Sequence, residues 1–186
     1  PTCETDTDAL IHLFGLVGAL AGADALYLEE MAEGRFFTLL GFVLAEKVPR
    51  AVWTPAVVRA LDALVPVAAR HAPLLEQLFR DVYLNFRVWA RTPRAVQDLL
   101  LRAAIAHARR QPQFFRRVVG VRGILDAILA HYSCHPDILA QSTESKSDSS
   151  SKSESNNKPE SSSSDDVPCL TPEERAGIRK QLLTLI

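Results

Sequence analysis

Three kinds of sequence feature that would point to a particular class of protein are scarce here. The 186 residues contain only three cysteines, Cys3, Cys134 and Cys169. An odd number at such wide spacing excludes a disulfide framework and is typical of reduced thiols in the cytosol. No glycine-rich phosphate loop is present, and no run of alternating polar and apolar residues predicts a strand.

Residues that would support catalysis are equally sparse. Asp62, Asp81, Asp98 and Asp126 occur singly among the predicted helices, so no carboxylate pair can be proposed for acid–base chemistry. Cys134 lies beside His131 and His135, which is the one candidate for a nucleophile or a zinc site. It lacks an orienting third group and a clear fourth ligand. The sequence therefore predicts a protein that is not an enzyme and that binds no cofactor and no metal.

The first apolar run is too short to predict a membrane span. Residues 9–23 contain no charge apart from that of His12, but Asp24 ends the run after 15 residues, whereas a spanning helix needs about 20. We therefore expect a buried core helix that Asp6 or Asp8 caps. The chain opens without methionine or a signal-peptide pattern, so we expect it to be a fragment of something longer.

What the sequence does contain is a series of amphipathic helices with a recurring start signal. Thr-Pro occurs at Thr54, Thr92 and Thr171, and the first two threonines are 38 residues apart. A threonine hydroxyl can cap a helix, and proline suits the first helical position because its missing N–H would be unpaired there. The spacing is typical of repeats that contain two or three helices. We predict an all-α, armadillo/HEAT-like α-solenoid segment.

Composition divides the chain into three parts. Residues 1–140 read as solenoid repeats, within which Phe36, Phe37, Leu39, Leu40, Val43 and Leu44 should face inward on one helix. Residues 141–168 form a serine-rich acidic linker without enough apolar residues to fold, and we expect it to be disordered. Residues 169–186 contain a C-terminal helix, opened by a capping box at Thr171, that should pack on the solenoid.

Positive charge is concentrated in one stretch. Residues 86–122 contain nine arginines against one aspartate, although the net charge of the chain is only −1. Such a patch can bind phosphate groups, anionic lipid or an acidic protein surface. The alternative is a solvated face of the helices, because arginine is the default base of this chain. The candidate interaction face is Arg102, Arg109, Arg110, Arg116 and Arg117.

A further motif lies at the corner between two predicted helices. Trp89 should be buried there, and the side-chain amide of Asn85 should hold the loop backbone. The pattern resembles the armadillo-like region of neurobeachin-type BEACH-domain proteins. The residues that match are Leu84, Asn85, Trp89, Thr92, Pro93, Val96 and Gln97.

The resemblance implies a non-enzymatic scaffold segment of a large cytosolic protein that acts in vesicle trafficking and membrane dynamics. Its partners would be other segments of the same larger chain and further proteins. The location would be cytoplasmic, with some of the protein peripheral to membranes. The alternative function is a module that binds anionic lipid headgroups or nucleic acid through the arginine-rich face. Nucleic acid is disfavoured, because no stacking aromatics are interleaved with the arginines.

Overall fold

The computed structural model describes residues 2–133 and 170–185, and these two ranges contain helices and no strand. The all-α prediction is therefore confirmed for the described residues. The predicted linker, residues 141–168, lies outside them. The elements are α1 (Thr2–Ala23), α2 (Ala25–Glu33), α3 (Phe36–Lys47), a 3-10 turn (Arg50–Val52), α4 (Pro55–Asp62), α5 (Val65–Ala68), α6 (Ala72–Gln77), a π-helix (Leu78–Tyr83), α7 (Phe86–Trp89), α8 (Arg94–Arg110), α9 (Pro112–Val118), α10 (Gly120–Tyr132) and α11 (Pro172–Leu183).

The helices form two layers. In the first layer α1 packs on α4, α4 on α8, and α8 on α11. In the second layer α2 and α3 pack on α6 and the π-helix, and α10 lies further along, against α9 and α11. One continuous cluster of buried apolar side chains fills the space between the layers. Each helix of the first layer therefore covers one face of the next, as in a linear stack.

Helix α1 is buried on one face only. Its inward side chains Phe14, Val17 and Ala21 are at most 5 % exposed. Its outward apolar side chains are 37 % to 58 % exposed. They are Leu13, Leu16 and Leu20. The expectation of a buried core helix is thus right for one face and wrong for the other.

The start of α1 also differs from the prediction. The helix begins at Thr2, so Asp6 and Asp8 lie inside it and cap nothing. Among the described helices, only α1 is long and apolar enough to cross a membrane, through its segment Asp6–Ala23. A single helix of this kind is weak evidence for a membrane, because the helices of soluble cores pass the same test.

The three Thr-Pro signals mark helix starts but do not work alike. At Thr171 the predicted capping box is present, with both reciprocal hydrogen bonds to Glu174. The hydroxyl of Thr54 is buried and has no hydrogen-bond partner among the described residues, so it is not a cap. The hydroxyl of Thr92 points back into the preceding turn, and Pro93 occupies the cap position of α8.

Helix α3 is less buried than predicted. Phe37, Leu40 and Leu44 face the core, whereas Leu39 and Val43 are 64 % and 46 % exposed. The prediction that the latter two face inward is wrong, because α3 lies at the surface of its layer and only one side of it contacts the π-helix.

Candidate functional site

The corner between the π-helix and α8 is held by side chains that bond to backbone. Asn85 caps α7: its Oδ1 accepts a hydrogen bond from the N–H of Arg87 at 3.2 Å. Its Nδ2 donates to the carbonyl oxygen of Asp81 at 3.0 Å. Asn85 therefore satisfies both a free amide of a helix start and a carbonyl of the π-helix, as the sequence predicted.

Trp89 fills the centre of the corner. Its side chain is fully buried, and its Nε1 donates to the carbonyl oxygen of Val82 at 2.8 Å. The ring lies edge-on to Trp53, with 4.6 Å between the ring centroids. The burial of Trp89 was predicted, but the contact with Trp53 was not. Nothing local in the sequence indicates that two tryptophans so far apart in the chain should meet.

A chain of buried hydrogen bonds connects this corner to α10. Thr92 Oγ1 donates to the carbonyl oxygen of Trp89 at 2.8 Å. Gln97 Nε2 donates to the carbonyl oxygen of Thr92 at 2.8 Å, and Tyr132 donates through its hydroxyl to Gln97 Oε1 at 2.9 Å. Burial raises the pKa of Tyr132 above its ordinary value of 10.0, so its hydroxyl remains a hydrogen-bond donor even at moderately alkaline pH. These residues connect the corner and α8 to the end of α10.

A glycine sets the approach of α3 to the π-helix, and the sequence did not reveal it. A Cβ atom added at Gly41 would lie 2.0 Å from the carbonyl oxygen of Asp81. Nearby, Thr38 Oγ1 donates to Asp81 Oδ2 at 2.6 Å. Partial burial raises the pKa of the Asp81 carboxyl, but hydrogen bonds from Arg80 and Thr38 outweigh it, so the net pKa is lowered. Asp81 is therefore an anion in the fold.

The five arginines of the candidate interaction face are all exposed. Arg102, Arg109 and Arg110 project from α8, and Arg116 and Arg117 from α9. Arg117 forms an ion pair with Glu76 of α6 and lies over the ring of Phe114. Part of the predicted face is therefore already used to join α9 to α6.

Two openings lie between the helices. A cleft of about 510 Å³ separates α3 and the π-helix from α10, with Phe42, Arg87 and His131 among its lining residues. Burial lowers the pKa of His131, and the positive charges of Arg91 and Arg87 lower it further. A cavity of about 520 Å³ lies between α4–α5 and α8–α9, and its lining includes Arg110 of the predicted face.

The predicted cysteine–histidine site cannot be assembled from the described residues. Cys134 and His135 lie outside them, and His131 is half-buried beside the cleft. Among residues 2–133 and 170–185, no group of three or more histidine, cysteine, aspartate or glutamate side chains has the geometry to hold a metal ion. The described residues instead provide packing contacts, helix caps and two openings of about 510 and 520 Å³.

Comparison with known proteins agrees with this architecture. Residues 2–186 match the family model described as "Neurobeachin/BDCP, DUF4704 alpha solenoid region". Searches of curated proteins and of solved structures found no match. The family match confirms both the resemblance and the solenoid fold predicted from sequence, and it makes the chain a scaffold-like segment of a larger protein. The chain belongs to the neurobeachin/BDCP family, as its α-solenoid region.

Proposed function

We propose that this segment is a non-catalytic scaffold unit that presents helix faces to other segments of a larger cytoplasmic protein and to protein partners in vesicle trafficking. The observation that supports this most directly is the exposed stripe of α1, formed by Leu13, Leu16 and Leu20. Exposed leucines at this spacing form a continuous ridge along one side of a helix. A ridge of this kind needs a partner to remove it from water.

The packing of helices within the first layer supports a further helix as the partner. The inward face of α1 is covered by α4, and α4 is followed by α8 in the same manner. A helix of a neighbouring repeat would cover the outward face in the same way. We therefore expect another helix of the same larger chain to pack on the α1 stripe. Burying the three leucines completely would contribute several kcal/mol, at roughly 1.5–3 kcal/mol for each side chain relative to full exposure.

The test is to replace Leu16 and Leu20 by glutamate in this chain and in the longer protein. If a neighbouring repeat covers the stripe, the denaturant midpoint of the solenoid should fall clearly in the longer protein. In the chain alone the two charges should leave the midpoint nearly unchanged. Equal effects in the two contexts would show that no other segment covers α1. Leu183→Glu, at an exposed leucine of α11, is the matched control.

A second apolar surface favours binding to separate proteins. Leu39, Phe42 and Val43 of α3 and Leu129 of α10 are 46 % to 68 % exposed, and Phe42 also lines the cleft between these helices. Exposed apolar side chains beside a cleft are typical of protein interaction sites. The charged lining of the cleft, which includes Arg87 and Asp126, would give such a site its specificity.

The second candidate function is binding of anionic lipid headgroups by the arginine-rich face. It is favoured by four exposed arginines, at positions 109, 110, 116 and 117, on the end of α8 and on α9. Nucleic acid is a weaker candidate, since Phe114 is half-buried and Phe115 is buried, so neither is free to stack on bases.

Binding to phosphatidylserine vesicles at low and high salt tests this second function. Salt-sensitive binding that is lost when Arg109, Arg110 and Arg116 become glutamate would support it. An absence of binding to the vesicles at low salt would refute the lipid-binding function. Arg50→Glu, at an exposed arginine elsewhere in the fold, is the control for general loss of positive charge.

A further inference from the structure

The cavity between α4–α5 and α8–α9 has the construction of a ligand site. Its volume of about 520 Å³ lies within the range of roughly 300–1,000 Å³ typical of small-ligand pockets. Leu75 and the rings of Phe79 and Phe115 form its apolar lining, with 5.0 Å between the centroids of the two rings. A large aromatic or aliphatic group would be favoured on such a surface.

The charge around the cavity favours an anion. Arg59 of α4 and Arg110 of α8 both line it and are exposed. Among the described residues, neither guanidinium has an acidic group within ion-pair distance. Two arginines on facing helices are suited to hold one carboxylate between them, because each guanidinium presents paired N–H donors.

The one acidic residue in the lining is occupied by the protein itself. Asp62 Oδ1 accepts a hydrogen bond from the hydroxyl of Tyr83 at 2.9 Å, and His107 Nε2 lies 2.8 Å from the same oxygen. These two neighbours hold the carboxylate against the cavity wall. Both contacts engage the Oδ1 atom of Asp62 within the fold, whereas no acidic group of the described residues pairs with Arg59 or Arg110.

The surroundings of the cavity favour a protein segment over a membrane. The large exposed apolar side chains of the described residues lie on α1, α2, α3, α10 and α11, and none of them lines this cavity. A surface that inserts into a bilayer carries such side chains around its opening, and this cavity does not. A single apolar side chain of a peptide can enter a cavity with a polar rim without that requirement.

We propose that this cavity binds a short protein segment in which an acidic residue is next to a large aromatic or aliphatic residue. The apolar side chain packs against the wall that Phe79, Phe115 and Leu75 form, and the carboxylate pairs with Arg59 and Arg110. This inference rests on the proposed protein-binding function and names the chemistry of one partner. It gives Arg110 a specific role within the arginine-rich face.

A display selection with random seven-residue peptides on the whole chain tests the proposal. Enriched peptides should contain an acidic residue adjacent to phenylalanine, tryptophan, leucine or isoleucine. The most enriched peptide, labelled with fluorescein, is then measured by fluorescence polarisation. Changing its acid to the corresponding amide, or its apolar residue to alanine, should weaken binding at least tenfold.

Variants of the chain locate the site. Arg59→Glu combined with Arg110→Glu should weaken binding of the labelled peptide at least tenfold, as should Ala69→Trp, which places a large side chain in the cavity lining. The controls Arg102→Glu with Arg116→Glu, and Ala95→Trp on α8, should leave binding within about twofold. Every variant must keep the helical circular dichroism spectrum and the thermal midpoint of the unchanged chain. A loss of peptide binding then reports on the cavity and not on unfolding.

The outcomes separate this inference from the proposed function. Peptides without the acidic–apolar pair, or binding that Ala69→Trp does not affect, would overturn the cavity assignment. If such binding were instead lost on Phe42→Glu, protein binding would stand and the site would be the cleft beside α10. Failure to enrich any peptide would overturn the inference, while the Leu16 and Leu20 experiment would still decide the scaffold function. Binding of phosphatidylserine vesicles that is lost on Ala69→Trp would assign the cavity to lipid and refute the peptide.

Discussion

At the scale of single residues, the corner depends on side chains that both fill space and bond to backbone. Trp89 is the clearest case, since it is fully buried and its indole N–H reaches the carbonyl of Val82. A smaller residue would leave a void beside Trp53 and would remove the indole hydrogen bond to the carbonyl oxygen of Val82. Both effects lower the stability of the folded state.

Trp89→Ala should reduce the free energy of unfolding by roughly 3–5 kcal/mol. Trp89→Phe should lose less, because most of the volume remains and only the indole N–H is removed. Chemical denaturation monitored by circular dichroism measures both. A near-neutral result for Trp89→Ala would contradict the burial of Trp89 at the centre of the corner.

His131 should make stability depend on pH. Burial and the charges of Arg91 and Arg87 lower its pKa in the folded state below the ordinary value of 6.5. Between the two pKa values the unfolded chain holds a proton that the folded chain does not, so stability is lost as pH falls through this interval. Comparing unfolding at pH 7.5 and pH 5.0, the loss should be smaller in His131→Gln than in the unchanged chain. An equal loss of stability in both proteins would contradict the lowered pKa of His131.

At the scale of elements, the packing of α3 on the π-helix depends on one glycine. Gly41→Ala would place Cβ 2.0 Å from the Asp81 carbonyl oxygen, so a backbone must move. We expect a loss of about 3 kcal/mol or more, at the upper end of overpacking costs. Gly15→Ala is the matched control: no atom lies within 4 Å of its added Cβ, and it should stabilise the helix by up to about 1 kcal/mol. Thermal unfolding of the two variants should therefore shift in opposite directions.

Two threonines at helix starts provide a second matched pair. Thr171 caps α11 through its reciprocal bonds with Glu174, so Thr171→Ala should cost about 1 kcal/mol. Thr54 precedes Pro55 in the same way but its hydroxyl is buried without a partner. Thr54→Ala should therefore be close to neutral. Urea unfolding distinguishes the two, and equal losses would show that the Thr54 hydroxyl bonds in solution.

The contrast between these elements shows what a sequence can predict. The all-α fold follows from apolar periodicity and Thr-Pro signals, which are local, whereas the π-helix Leu78–Tyr83 was not predicted. The roles of Asn85 and Trp89 also follow from local turn chemistry. The contacts of Trp53 with Trp89 and of Gly41 with Asp81 depend on how distant helices cross, so local patterns do not contain them. The placement of Arg59 and Arg110 in the lining of one cavity also depends on how distant helices cross.

At the scale of the whole molecule, the described helices form a stack in which each unit is coupled mainly to its neighbours. The last unit is attached through Arg94 of α8, whose guanidinium pairs with Asp98 and donates to the carbonyl oxygen of Glu174 in α11. It also lies over Gly177, where an added Cβ would come within 3.0 Å of it. Gln181 donates to the same Asp98.

Arg94→Ala should therefore release α11 while the remaining helices stay folded. Hydrogen exchange should become faster in Pro172–Leu183 and stay nearly unchanged in α4. The conservative Arg94→Lys keeps the charge but loses the paired N–H donors, so its effect should be intermediate. A uniform increase in exchange across all helices would mean that the array unfolds as a single cooperative unit.

The attachment of α11 also has a consequence for the order of assembly. Arg94 and Glu174 are 80 positions apart in the chain, whereas the other neighbours in the first layer are much closer in sequence. The entropy of closing a loop grows only slowly with its length, about 0.6 kcal/mol for each doubling. Contacts between residues this distant in sequence form after those between nearer helices, so we expect α11 to join the array after α1, α4 and α8 have packed.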